Sequence, residues 1–282
     1  MTEFAFPDKK ALLHVYQELH KKHPHDLLPL ETALPKELQP ENRDKYRTCM
    51  TMILSGGNSD KRLAICLGKL FRRHPDFESL RNLNKNGVAG LLGKEPPGIG
   101  LGLQDPDKGG NGARLWSFLQ SYFGPSWKET ITERNILSLR DKKGFKRGKF
   151  VRTLQAYCFG NRDVLPLDQR ALDAIRDPLF PGYCDSSDEE IRNDIETKLR
   201  GESGASLIDF HELLRFVEQD SRAKTKRAKE DIIIGWNGWR VLCSLERARI
   251  TQDWIYRHLV RDRDIARGLW DFFQQIRGTE AE

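Results

Sequence analysis

Apolar residues recur at intervals of three and four along most of this chain. In residues 60 to 74, for example, Leu63, Cys66 and Leu70 fall on one helical face. The same spacing returns in residues 9 to 22 and 113 to 123. No segment alternates apolar and polar residues strictly, and no hairpin signal separates two such segments. The pattern therefore predicts an all-α fold of about ten short helices packed as one or two bundles.

Residues that favour helix starts mark several of these segments. Ser59 precedes the helix of residues 60 to 74, and Ser187 with Glu190 forms a capping-box pattern before the next acidic segment. Ser206 gives a weaker signal of the same kind. We place Asn86 as the cap of a short helix in GVAGLLG.

The charge balance and the cysteine content limit the kinds of binding partner and compartment that the sequence suggests. The 282 residues include 47 Lys and Arg against 41 Asp and Glu, and the sequence pI is near 9.0. This modest excess favours an acidic polymer over a basic one as a partner. The five cysteines are scattered without a C-x-x-C pair, which indicates a reducing compartment and argues against a zinc ribbon or a four-Cys iron–sulfur cluster. With no signal peptide and no long apolar run, we expect a cytoplasmic protein without a membrane partner, nucleoid-associated in a bacterium.

Two other segments carry noteworthy patterns. The glycines of residues 93 to 112 do not follow a strand, so we interpret this segment as a surface loop and not as a nucleotide-binding fingerprint. Residues 222 to 229, RAKTKRAK, hold five basic residues in eight. Such a run is usually a solvated helix face, and in a DNA-binding protein it would add an auxiliary contact with the phosphate backbone.

The stretch from residue 136 to 176 concentrates the candidate chemistry. Its turn KKGFKRGK supplies basic side chains and flexible glycines, namely Lys142, Lys143, Gly144, Lys146, Arg147 and Gly148. A basic turn that leads into a helix N-terminus can bind phosphate through backbone N–H groups and positive charge. The apolar face of the following helix, with Leu154 and Tyr157, would anchor this turn.

Lys149 and Asp168 are the candidate catalytic residues of this stretch. Asp168 follows the apolar LPL and is predicted to cap the next helix, nineteen residues after Lys149. That interval allows the two side chains to face each other at adjacent helix N-termini. A partly desolvated lysine amine can attack a sugar carbon, and a carboxylate can stabilise the positive charge of a breaking glycosidic bond. The alternative is that Asp168 serves only as a cap.

With Phe159-Gly160 and LPLDQRAL, this stretch resembles the helix-hairpin-helix motif and catalytic aspartate of the helix-hairpin-helix (HhH-GPD) DNA glycosylases, which include endonuclease III and the 8-oxoguanine glycosylases. Residues 53 to 80 and 111 to 120 are similar to earlier helices of that family, including a break from Ser55 to Asp60. The resemblance implies a two-lobed helical fold with the active-site cleft between the lobes. The cysteine spacing indicates that this fold carries no iron–sulfur cluster. The resemblance also divides the chain into residues 1–44 (an N-terminal helix and connection packing with the C-terminal lobe), 45–135 (central lobe), 136–176 (hairpin and catalytic segment) and 177–282 (C-terminal lobe).

The activity that the resemblance implies is excision of a modified base from double-stranded DNA by a monomeric enzyme. Asp168 falls at the family's catalytic aspartate, and Lys149 falls where bifunctional members carry the lysine that forms a Schiff base and gives AP-lyase activity. Asn58 and Ser59 lie in the break that faces the bases, and the basic turn would hold the DNA backbone. No organic cofactor or metal site is implied; the one ion it allows is a monovalent cation held by hairpin carbonyls.

Two departures from the family pattern and three alternatives accompany this interpretation. The turn lacks the family's usual Leu-Pro-Gly-Val-Gly, and the break lacks its usual glutamine. Oxidised purines are the first choice of substrate, while these departures leave open a bulky hypermodified base of phage DNA and hence a role in antiviral defence. Two further alternatives are a non-catalytic helical DNA-binding or adaptor protein, and a helical scaffold with no DNA role.

Overall fold

The computed structural model describes residues 6–22, 44–55, 59–102, 104–124, 132, 136, 149–161, 163–202, 206–242, 250–260 and 262–277. Within these ranges the chain forms twelve α-helices and no β-strand, so the predicted all-α class is confirmed there. The helices are α1 (Lys9–Lys22), α2 (Lys45–Leu54), α3 (Asp60–Arg73), α4 (Lys85–Leu92), α5 (Gly110–Tyr122), α6 (Lys149–Cys158), α7 (Gln169–Ala174), α8 (Asp188–Leu199), α9 (Leu207–Arg222), α10 (Lys226–Leu242), α11 (Gln252–His258) and α12 (Arg263–Arg277).

Capping side chains set several of the helix starts. The Ser59 hydroxyl accepts a hydrogen bond from the Arg62 amide at 3.3 Å, and Ser187 forms the predicted capping box with Glu190. The predicted N-cap residue of α4 was wrong. Asn84, and not Asn86, caps this helix, and its side-chain oxygen accepts from the amide of residue 87 at 2.8 Å.

The helices share one continuous apolar core. Helix α3 packs between α10 and α12, while α9 packs against α7 and α1. Helix α2 contacts α3, α5 and α6, and α9 also contacts α10. The N-terminal helix α1 lies against α8 and α9. This arrangement brings the starts of α3, α7 and α10 to the same region as the second half of α9.

Two glycines allow unusually close approach of α3 to its neighbours. A Cβ atom at Gly235 of α10 would lie 2.6 Å from the Lys61 backbone nitrogen, and one at Gly68 of α3 would lie 2.8 Å from the Ile276 carbonyl oxygen. Both distances are shorter than real Cβ contacts, so neither helix pair could keep its spacing with a larger residue. The first turn of α3 is therefore held tightly against α10.

The glycine-rich segment is packed against the core along part of its length. Ile99 and Leu101 are buried, and the Ile99 amide donates to the Leu91 carbonyl at 2.8 Å. The Arg62 guanidinium donates to the Gly100 carbonyl oxygen at 2.8 Å, which connects this loop to the first turn of α3. The described residues between 93 and 109 form a loop, as predicted, but one with apolar anchors, whereas residues 110 to 112 belong to the first turn of α5.

None of the helices in the described ranges has the length and apolar character needed to span a membrane. The same ranges contain no group of three or more His, Cys, Asp or Glu side chains that could hold a metal ion.

Candidate functional site

Asp168 lies at the start of α7, after the buried residues Leu165 and Leu167. Its backbone is extended, and its Oδ1 accepts a hydrogen bond from the Ala171 amide at 3.0 Å, so it is the predicted N-cap. The side chain is only 14% exposed. The apolar residues before it fix the loop against the core, and the cap fixes the carboxylate at the positive end of the helix.

The second oxygen of Asp168 faces an arginine from α9. Arg215 Nε lies 2.8 Å from Asp168 Oδ2, and Arg215 Nη2 lies 3.7 Å from Asp60 Oδ1 at the start of α3. The other oxygen of Asp60 lies 3.6 Å from Nη1 of Arg170. Two aspartates and two arginines, from three separate helices, thus form one charge-balanced network, which we call the Arg215 network.

The Arg215 side chain is mostly buried, at 17% exposure. Burial alone would lower the pKa of its guanidinium, but the negative charges around it, first Asp168 and then Asp60, outweigh that effect and raise the pKa. The guanidinium is therefore a permanent cation in a partly dehydrated position. Its removal would leave two carboxylates without their shared counter-charge.

Arg215 belongs to a charged row on α9. Asp209, Glu212, Arg215 and Glu218 follow one another at intervals of three residues, and the three acids are at most 6% exposed. The Tyr157 hydroxyl of α6 donates to Glu212 Oε1 at 3.0 Å. Side chains three positions apart lie on adjacent turns of a helix. The row of buried charged side chains therefore extends from the part of α9 that packs on α1 to the C-terminal half of α9.

A pocket of about 400 Å³ opens beside the Arg215 network. The start of α3, the start of α7, the C-terminal part of α9 and the start of α10 all contribute to it. Its lining combines charged and small apolar residues, namely Ser59, Asp60, Lys61, Arg170, Glu218, Ala223, Ala228, Asp231 and Ile232. A volume of this size falls in the range of about 300–1,000 Å³ seen for small-molecule sites.

Basic residues adjoin two of the pocket residues along the chain. Ala223 and Ala228 line the pocket, and the exposed residues Lys224, Lys226 and Arg227, which lie between them in sequence, belong to the basic run predicted from the sequence. The lining itself contains three acids and two bases. A polyanion could contact this basic run close to the pocket.

The structure describes only some of the predicted site residues. Ser59 caps α3 and lines the pocket, and Asp168 lies in the Arg215 network beside that pocket. Lys149 is the first residue of α6, but its side chain lies outside the described part, as does any pairing with Asp168. The remaining DNA-contact candidates also lie outside the described residues: Asn58, Lys142, Lys143, Gly144, Lys146, Arg147 and Gly148.

Sequence reasoning missed Arg215, Asp60 and Glu218. A signal for two of them was available in the segment LIDFHELLRFVEQD, where charges recur every three residues within an otherwise apolar helix. A helix that buries most of its surface must pair such charges, so Arg215 implied acidic partners from other helices. Nothing in the sequence identified those partners as Asp60 and Asp168.

Comparison of the chain with known proteins gave no match among family models, curated proteins or solved structures.

Proposed function

We propose that this protein is a DNA N-glycosylase that turns a modified nucleotide out of duplex DNA and cleaves its N-glycosidic bond. One observation carries the proposal: the Asp168 carboxylate and Asp60 at the start of α3 are joined through Arg215, and Asp60 lines the adjacent pocket. An enzyme that acts on a base within a duplex needs such a recess, because the target atom is inaccessible in the stacked helix. This arrangement also supports the two-lobed cleft expected from the resemblance.

In this proposal the DNA backbone contacts the basic run of residues 222 to 229 and the turn of residues 142 to 148. Each phosphate neutralised by a lysine or arginine releases counterions, so affinity should fall steeply with salt. The extruded base enters the pocket between the starts of α3 and α10. The small side chains Ala223 and Ala228 leave room for it, and Ile232 offers an apolar wall.

Asp168 supplies negative charge next to the sugar as the glycosidic bond breaks. The Ala171 amide and the Arg215 guanidinium hold its carboxylate in one orientation, which removes the cost of reorganising it during the reaction. The Lys149 amine then forms a bond to C1′ while the bond from C1′ to the base breaks. The base leaves with the bonding electrons and takes up the proton that the lysine amine loses. The bond from C1′ to O4′ then breaks, O4′ takes up a proton, and the Schiff base formed between Lys149 and C1′ permits strand cleavage by elimination.

A monofunctional variant of the same reaction places water at C1′, with Asp168 orienting it, and restricts Lys149 to a contact with phosphate. Borohydride reduction separates these two versions. With damaged duplex DNA, a bifunctional enzyme gives a covalent adduct that Lys149→Ala abolishes. A monofunctional enzyme releases base without forming an adduct.

Release of free base from a panel of modified duplexes is the experiment that tests the activity. The panel contains oxidised purines, the first choice of substrate, and phage DNA with substituted cytosines, which the pocket volume of about 400 Å³ also accommodates. Asp168→Asn keeps an oxygen for the cap and removes the charge, so we expect a loss of at least a hundredfold in base release, about the contribution of one electrostatic group. Asp253→Asn, at an aspartate that is 66% exposed, is the matched control and should retain activity. Full activity of Asp168→Asn would refute the proposed role.

A second candidate is a non-catalytic helical protein that binds DNA. It is favoured by the fact that both oxygens of Asp168 have protein partners, one the Ala171 amide and the other Arg215, as a purely structural cap would. This protein would show salt-dependent duplex binding but release no base from any member of the panel. A scaffold without a DNA role would show neither.

A further inference from the structure

Arg192 of α8 is a buried cation, only 8% exposed, and its Nε atom has no hydrogen-bond partner in the described part of the chain. The carboxylates four positions before and after it are paired with other arginines. Glu196 forms an ion pair with Arg152 of α6, and Asp188 forms one with Arg176 at 2.8 Å. A buried charge that lacks a partner is costly, because it has lost its hydration without gaining a counter-charge.

The charges around Arg192 do not compensate for its burial. Burial has the largest effect and lowers the pKa of the guanidinium, and the positive charge of Arg152 lowers it further. Nearby carboxylates raise the pKa with smaller individual effects, namely those of Glu196, Asp188 and Glu189. The charge that acts most strongly on Arg192 is therefore that of a second cation. Two guanidinium groups at such range repel each other unless an anion lies between them.

Glu196 connects this pair of arginines to the loop before Asp168. Arg192 and Glu196 are four positions apart, so they lie on the same face of α8. Glu196 Oε1 also accepts a hydrogen bond from the Leu165 amide at 2.8 Å, three residues before Asp168. Arg152 comes three residues after the start of α6, and its side chain is 23% exposed, so this end of the pair is open to solvent. The pair therefore lies close to both helix starts that carry the candidate catalytic residues.

We infer that Arg152 and Arg192 form a phosphate-binding site between the start of α6 and α8. A phosphate group brings negative charge and several acceptor oxygens, so it can accept hydrogen bonds from both guanidinium groups. A water molecule would supply an acceptor but no charge. Free phosphate and a phosphodiester of DNA share this chemistry. The assignment to DNA, at a phosphate next to the extruded nucleotide, rests on the proposed function.

Inorganic phosphate and the full-length protein test the site directly. Calorimetry measures Tm in sodium phosphate, sodium acetate and sodium chloride at equal pH and ionic strength. A ligand that binds only the folded state raises Tm, so phosphate at about ten times its dissociation constant should give a rise of about 2 °C over chloride. Acetate should give no such rise. Equal effects of acetate and phosphate, or no effect of phosphate, would overturn the inference.

Arg192→Met tests the residue itself. Folding disfavours the charged form of this guanidinium, so the variant in chloride should melt at the wild-type temperature or above it. Phosphate should no longer raise its Tm. Arg47→Met is the matched control, because Arg47 of α2 is also mostly buried, at 17% exposure, and lies 4.0 Å from its own acid, Asp44. This control should keep the rise with phosphate.

An equal rise with phosphate in Arg192→Met and in the wild type would show that the ion binds elsewhere and would refute the site. If the Arg192 variant does not fold, the comparison of phosphate with acetate in the wild-type protein still decides the inference.

Duplex binding separates the two sources of phosphate. If the site takes a phosphate of DNA, Arg192→Met should reduce the slope of log K against log salt concentration by about one, whereas Arg47→Met should leave it unchanged. An unchanged slope in Arg192→Met, together with the rise in Tm that this variant loses, supports a site for free phosphate. A wild-type protein that binds no duplex refutes the proposed function, and the Tm measurements then decide the phosphate site on their own.

Discussion

Replacement of Arg215 by methionine tests whether the Arg215 network is a buried structural element. Methionine has a similar length and no charge, so the variant keeps most of the packing and removes the counter-charge of Asp168 and Asp60. The three side chains are between 14% and 17% exposed, so water can screen the remaining carboxylates only in part. Breaking a buried ion pair by removing one partner typically costs about 3–5 kcal/mol.

The expected shift in melting temperature follows from the size of the protein. An unfolding entropy of about 2.1 cal/mol/K per residue gives about 0.6 kcal/mol/K for 282 residues. A loss of 3–5 kcal/mol therefore lowers Tm by about 5–8 °C. Circular dichroism or calorimetry measures this shift directly.

A control and a double variant make the prediction specific. Arg257 forms an ion pair of 2.7 Å with Asp253, but both side chains are about two-thirds exposed, so Arg257→Met should cost no more than about 1 kcal/mol. Combining Arg215→Met with Asp168→Asn removes one of the two carboxylates that lose Arg215 as a counter-charge and should recover about 1–3 kcal/mol of the loss. If Arg215→Met shifts Tm no more than Arg257→Met does, the network does not stabilise the fold.

Three smaller perturbations test other features of the fold. Gly235→Ala places a Cβ atom 2.6 Å from the Lys61 backbone nitrogen and should destabilise by about 1–3 kcal/mol in a denaturant titration, whereas Gly90→Ala, with nothing within 4 Å, should be neutral or stabilising. Equal effects of the two would refute the close approach of α10. Ser187→Ala removes the capping box of α8 and should cost about 1 kcal/mol, and no loss would mean that the cap is replaced by water. Burial lowers the pKa of His20 below its ordinary value of 6.5, so folding favours the neutral imidazole. The free energy of unfolding should therefore fall as the pH decreases below about 6.5. His20→Gln should weaken this pH dependence, and an unchanged pH profile of stability in the variant would contradict the prediction.

The sequence predicted the local features of the structure better than the distant ones. Helix periodicity and the caps at Ser59, Asp168 and Ser187 depend on neighbours within one turn, and the structure confirms them. Asn84 and Asn86 differ by two positions in the same polar segment, and both suit an N-cap, so local chemistry alone did not separate them.

The Arg215 network depends on tertiary packing, which no local pattern encodes. Asp168 was recognisable from its position after LPL, but its pairing with Arg215 requires α9 to pack on α7. Ser59 was predicted, from the resemblance to the DNA glycosylases, to contact DNA in the break that faces the bases. Its position in the pocket wall depends on Gly235, which allows α10 to approach α3 closely. The charged residues of the sequence alone did not show which aspartates would pair with Arg215.

The three segments joined by Arg215 are far apart along the chain. Asp168 comes 108 positions after Asp60, and Arg215 comes 47 positions after Asp168. During synthesis the two aspartates emerge from the ribosome well before their shared arginine. Contacts of such long range form late in folding, because the intervening chain must first be ordered. In a newly made or partly unfolded molecule the Arg215 network is therefore incomplete, and the wall that it gives the adjacent pocket forms only in the fully folded protein.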